Sequence, residues 1–173
     1  MDGVLKTVFG DYSAEVVDHI VRFADAHNLP PLALLAMGLQ ESNLDPNAEG
    51  DLAIGGSGGV YQIYVAAHGG PMSKWEGIDG LDRAMAEMLG RWSQTFADAG
   101  GWDGWLADPV AFQLNWTPKA QGSIAWTKEM AGRRVGQAIV LFVLYLKSLQ
   151  TAAPAAHAPA PPTSAPPRGG SGG

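Results

Sequence analysis

Val16, Val17, Ile20, Val21 and Ala24 recur at helical spacing behind Ser13, a residue type suited to capping, and predict an amphipathic helix through about His27. Asn28-Leu29-Pro30-Pro31 stops that helix and starts another, with Pro31 fitted to the first helical position. The second helix, about Pro31 to Ser42, is apolar nearly all round, which predicts a central element rather than a surface one. Leu81, Met85, Met88, Leu89, Trp92 and Phe96 form the buried stripe of a third, capped by Asp79. Asp108-Pro109 opens a short helix through Asn115, and Ser123 opens a long helical region reaching Leu149, with Gly132 and Gly136 as points to break it. No stretch alternates convincingly with period two. At most a small hairpin fits between Ala48 and Tyr64, so the expected class is mainly α.

The pattern ends near residue 150. Thr151 to Gly173 is dominated by Pro, Ala, Gly and Ser, with one charge at Arg168. Such a segment cannot bury enough apolar surface to offset ordering entropy. The chain is therefore divided into one domain, 1–150, and a disordered linker or tail, 151–173. The longest apolar run, Ala138 to Leu146, spans only about 13 Å as a helix against about 30 Å of hydrocarbon, and is expected to be a buried helix rather than a membrane span. Met1-Asp2-Gly3-Val4-Leu5-Lys6 lacks the basic-then-apolar order of a signal peptide.

Composition narrows the chemistry. The 173 residues carry a formal net charge of −6, which argues against a nucleic-acid partner. With no cysteine, neither a disulfide framework nor a thiolate metal site is available. His19, His27, His68 and His157 are scattered, with no pair at the spacing of a helical metal site, and no cofactor is called for.

One carboxylate stands out. Glu41 ends the apolar run and faces a glycine-rich stretch that closes in Gly59-Val60-Tyr61-Gln62-Ile63. Desolvation by an apolar helix disfavours its charge, as does the negative end of the helix dipole, so both push toward the protonated acid. A raised carboxylic acid is what protonating a glycosidic oxygen near neutral pH requires. The blander alternative is a solvated glutamate on a last turn.

The surrounding residues add a resemblance. Glu41-Ser42-x-Leu44-x-Pro46-x-Ala48 resembles the first signature of the soluble lytic transglycosylases, and Gly59-Val60-Tyr61-Gln62-Ile63 resembles their Gly-Leu-Met-Gln-Ile segment. Gly50-Asp51 and His68-Gly69-Gly70 are similar to phage tail-associated lysozyme modules. The nearest counterpart of the family's later Ala-Tyr-Asn-Ala-Gly motif is Phe112-Gln113-Leu114-Asn115-Trp116. The resemblance implies a lysozyme-like fold and a peptidoglycan-cleaving enzyme in which Glu41 is the catalytic acid. It implies that Ser42 holds the glutamate or a substrate N-acetyl group. Tyr61, Gln62 and Ile63 would line the glycan groove, and Asn115 or Trp116 would position substrate. It further implies action at the bacterial wall, as a virion-tail or released phage protein, with the tail joining other tail proteins or a neighbouring domain.

The reaction turns on a second carboxylate. Retaining enzymes place one about 5 Å away and inverting ones about 6.5–9.5 Å, whereas a transglycosylase manages with one glutamate. Asp45, Glu49 and Asp51 are near in sequence but lack the family's catalytic context, so a transglycosylase is preferred. The alternatives are a lysozyme-type muramidase with water activated by Asp45 or Asp51, and a non-catalytic wall-binding or structural tail module. Gly55-Gly56-Ser57-Gly58-Gly59 reads as a flexible groove rim, lacking the ending of a phosphate loop. Among six tryptophans, Trp75, Trp102, Trp105 and Trp116 sit where a ring could stack on sugar. Gly38, one turn before Glu41, leaves room either for a sugar or for close packing.

Overall fold

A computed structural model describes residues 14–122 and 125–152, with side chains as far as residue 150. Among these the chain is mainly helical and forms a single domain. Its seven α-helices are α1 (Ala14–Ala26), α2 (Pro31–Glu41), α3 (Val65–His68), α4 (Gly77–Asp98), α5 (Gly101–Ala107), α6 (Pro109–Gln121) and α7 (Lys128–Ala152). The expected caps Ser13 and Ser123, and residues 153–173 of the tail, lie outside the described residues.

α2 is the axis of the domain. Ala33, Leu34, Leu35, Ala36, Met37 and Leu39 are fully buried, as the all-round apolar sequence requires. It packs chiefly against α7 and also against α1 and α6. Gln113, itself buried, donates from Nε2 to the Ala33 carbonyl (3.1 Å) and to Thr117 Oγ1 (2.7 Å), fixing α6 to the first turn of α2. α1 buries Val16, Val17, Ile20 and Ala24, and α4 buries Leu81, Met85, Met88, Trp92 and Phe96, each close to its expected stripe.

Several expectations are corrected. α4 starts at Gly77 after Glu76, so Asp79 lies in its first turn instead of capping it. α5 was not anticipated. Its seven residues contain three glycine or alanine positions and few periodic apolar ones, leaving a weak signal. Asp108 does cap α6, accepting from the Val110 and Ala111 amides (3.1 and 3.0 Å), but the helix runs past Asn115 and through Pro118 to Gln121. α7 is unbroken at Gly132 and Gly136 and extends to Ala152, two residues into the segment assigned to the tail. Nor is its apolar run wholly buried. Ala138, Leu141 and Tyr145 face inward, while Ile139, Val140, Val143 and Leu146 are exposed. No helix among the described residues is long and apolar enough to cross a membrane.

The expected hairpin is a three-stranded antiparallel sheet of two-residue strands, β1 (Glu49–Gly50), β2 (Ser57–Gly58) and β3 (Ile63–Tyr64), in that order. Glu49 pairs with Gly58, Gly50 with Ser57, Ser57 with Tyr64 and Gly58 with Ile63. Strands this short give no readable alternation. The glycines around β2 are a packed seam rather than a flexible rim: Gly56, Ser57, Gly58 and Gly59 are all buried. A Cβ on Gly59 would collide with the Trp75 carbonyl, and one on Gly58 would meet Met72 at 3.0 Å.

Candidate active site

α2 delivers Glu41 to the sheet. The helix ends there because Asn43 and Leu44 adopt left-handed backbone conformations (φ 55° and 62°), with the Leu44 amide turned back onto the Gly38 carbonyl at 3.1 Å. Leu44 is fully buried, so core packing offsets the local steric cost of that conformation. A Cβ on Gly38 would reach Leu44 Cδ2 at 2.6 Å and Val60 Cγ1 at 2.9 Å. Gly38 therefore makes room for the chain returning after Glu41, which decides between its two readings in favour of packing.

Glu41 lines a cavity of about 210 Å³ together with Asp51, Tyr61, Gln62, Ile63, Tyr64, His68, Met88, Gln121 and Gly122. Burial pushes the Glu41 carboxyl up to about 7, and the nearby negative charge of Asp51 adds to the rise. A carboxylic acid with this value is half protonated near neutral pH and can both give and take a proton there.

The wall opposite the helix is the sheet. Gln62 has a left-handed backbone (φ 48°), and its Nε2 donates to the carbonyls of Ala48 (3.2 Å) and Gly59 (3.0 Å). Ser57 Oγ lies 3.0 Å from Gln62 Oε1 and 3.1 Å from Asp51 Oδ2. Tyr61 is buried, its ring edge-to-face with Trp92 at 4.9 Å and its hydroxyl donating to the Leu34 carbonyl. Burial pushes that phenol far up, so it serves as a neutral donor. Gln121 at the end of α6 donates to the Tyr61 carbonyl (3.4 Å), joining α6 to the same wall. His68, on the rim, pairs with Glu87 of α4 at 3.2 Å.

Glu41, Tyr61, Gln62 and Ile63 thus line one cavity. Ser42 is beside them but turned away: its hydroxyl donates to the Val60 carbonyl at 2.9 Å, holding the helix end to the sheet loop. Asn115 and Trp116 are not in the cavity. Asn115 is exposed on α6 with its amide on the Ala111 carbonyl, and Trp116 is fully buried with its indole N–H on Thr95 Oγ1 at 3.0 Å. A fully buried ring offers no face to a sugar, so that expectation is corrected. The same holds for Trp75 and Trp105, both in the core, while Trp102 is half-buried and donates to Asn28.

Asp51 is the residue that sequence reasoning undervalued. Of the three nearby carboxylates, Asp45 is exposed and accepts from the Asn47 amide, and Glu49 is exposed on β1. Asp51 lines the cavity because its own left-handed backbone (φ 52°) turns it out of β1. An aspartate tolerates that conformation better than most residues, which is a faint signal at best. A larger groove, about 330 Å³, opens away from Glu41 and is lined largely by apolar residues including Leu29, Trp102, Phe142 and Leu146. Its one carboxylate is that of the exposed Asp25. Among the described residues no three His, Asp or Glu side chains converge to hold a metal ion. No protein-family model, curated protein or solved structure matches the chain.

Proposed function

We propose that the protein cleaves the glycan strands of peptidoglycan, at the β-1,4 bond between N-acetylmuramic acid and N-acetylglucosamine, on a lysozyme-like fold. The observation that carries this reading is Glu41: a half-buried carboxylic acid at the end of a fully buried helix, opening into a cavity walled by a small sheet, with its proton held to about pH 7. Glu41 would protonate the bridging oxygen as the bond breaks. As a carboxylate it would then take the proton of the muramyl 6-hydroxyl, which closes a 1,6-anhydro ring. One residue suffices for both steps, so a lytic transglycosylase is the first reading. Such a protein would act at the bacterial wall, as a phage tail or endolysin module.

A second outcome at the same site is favoured by Asp51, which lines the cavity with Glu41. A carboxylate there could orient a water for attack, giving a muramidase. Mass spectrometry of purified peptidoglycan after digestion separates the cases. Anhydro-muramyl ends indicate the transglycosylase and reducing ends the hydrolase. Absence of either product overturns both.

A further inference from the structure

We propose that Ser57 is a positioning residue for Glu41: its hydroxyl, packed against Gly50 and Gln62, holds the Asp51 carboxylate on the wall of the cavity that Glu41 also lines. The proposal builds on the reading of Glu41 as the acid but concerns its titration, which is measurable without substrate.

Asp51 needs such a partner. Its backbone is fixed, with the carbonyl accepting from the amides of Ile54 (2.9 Å) and Gly56 (3.0 Å), yet the residue is exposed and its side chain has solvent to turn into. The bond from Ser57 Oγ to Asp51 Oδ2 keeps the carboxylate in place. Ser57 itself cannot follow a wandering partner. It is 1% exposed and sits in the central strand, paired with Gly50 on one side and Tyr64 on the other.

The seat behind the hydroxyl is equally determined. Both hydrogen bonds from Gln62 Nε2 go to carbonyls, so the amide orientation is set and Oε1 faces Ser57. A hydroxyl has one proton, and here it stands before two acceptors, of which the charged one draws the stronger hydrogen bond. Any side chain on Gly50 would strike Gln62 Oε1 and come to 3.1 Å of Ser57 Oγ. The glycine is what lets the three polar groups meet.

Asp51 and Glu41 line the same cavity, so a carboxylate held there adds to the effect of burial in raising the affinity of Glu41 for its proton. Of the other charged or titratable groups around this helix end, Asp45 and Glu49 are exposed and outside the cavity, and the following are engaged elsewhere. His68 of α3 pairs with Glu87 of α4, Tyr61 and Tyr64 donate to the carbonyls of Leu34 and Ile54, and Arg91 of α4 donates to the Lys119 carbonyl of α6. Arg134 of α7 is bonded to Gln40 and Asn43, which flank Glu41 and Ser42. Asp51 is the negative group whose position depends on a single neutral hydroxyl.

The test is the carboxyl titration of Glu41 followed by carbon NMR in the full chain. Ser57→Ala should lower its midpoint by about half a pH unit or more, and Asp51→Asn should do the same. The double variant should add nothing further, and Ser57→Thr, which keeps the hydroxyl, should restore the wild-type value. An unchanged midpoint in folded Ser57→Ala, or additive shifts in the double variant, overturns the proposal. Should Ser57→Ala not fold, Ser57→Cys, close in volume but a weak donor, takes its place with the same two outcomes. Retained cleavage by Glu41→Gln would overturn the functional reading instead, and would leave the titration result standing.

Discussion

The Ser42 hydroxyl donates to the Val60 carbonyl at 2.9 Å, across 18 residues of sequence. With the Tyr61 hydroxyl on the Leu34 carbonyl, this bond ties the helix that carries Glu41 to the loop that carries Tyr61 and Gln62. Two sequence blocks that look separate are therefore one mechanical unit. Ser42→Ala should cost about 1 kcal/mol of stability and lower turnover more than it raises KM. Chemical denaturation together with kinetics on soluble glycan fragments reads both, and a rise in KM alone would assign Ser42 to substrate binding.

Glu41→Gln keeps shape and removes the titrating proton. Loss of general acid–base catalysis should reduce cleavage by at least about 10²-fold. Glu49→Gln, on an exposed strand position outside the cavity, should leave it largely unchanged. Rates of turbidity loss on purified cell walls, compared for the two variants, supply the check.

Activity should fall as pH rises through about 7, where Glu41 loses its proton. Stability follows the same group. Its folded-state value lies above the ordinary 4.5, so the folded protein binds this proton more tightly than the unfolded chain. That contribution is complete below about pH 4.5 and is lost as pH rises through about 7. At pH 8 the buried charge costs about 1–3 kcal/mol. Glu41→Gln should therefore gain stability on the wild type between pH 5 and pH 8. A constant difference across that range would contradict the assigned burial.

Gly38→Ala inserts a methyl group where Leu44 and Val60 already stand. Overpacking of this kind typically costs about 1–3 kcal/mol, and the displaced loop carries the cavity wall with it. Melting temperature and activity should fall together. Restored activity in Gly38→Ala paired with Val60→Ala would trace the damage to that contact.

Trp116→Phe loses the bond to Thr95 Oγ1 and part of a buried ring. The variant should be less stable by about 1–3 kcal/mol with KM for glycan unchanged. An increased KM at full stability would return Trp116 to the substrate.

The legibility of the chain follows from length and burial. α2 was readable because seven consecutive buried positions, Ala33 to Leu39, leave little doubt about a central helix. α1 and α4 were readable from stripes that repeat over several turns. α5 was not, and of the sheet only a small hairpin between Ala48 and Tyr64 was, since two-residue strands carry no period. That Glu41, Tyr61, Gln62 and Ile63 share a cavity was legible because they sit in two short motif blocks read as a pair. Asp51 could not be weighed properly. Its place beside Glu41 depends on one left-handed residue and on the Ser57 bond, and neither leaves a pattern in sequence. Trp116 misled because a motif position suggested exposure, whereas a cluster of Phe96, Phe112 and Trp116 had absorbed the ring into the core.

Apart from Asn28, the non-glycine residues with left-handed backbones among the described residues, Asn43, Leu44, Asp51 and Gln62, fall within residues 43–64, which supply the sheet wall of the cavity and are held by very few ladder bonds. Local unfolding of this segment exposes few helical amides and leaves the α2–α7 packing in place. Amide protons of residues 43–64 should thus exchange well ahead of those in α2. Warmed gently, the protein should stop working while its far-ultraviolet circular dichroism still looks native.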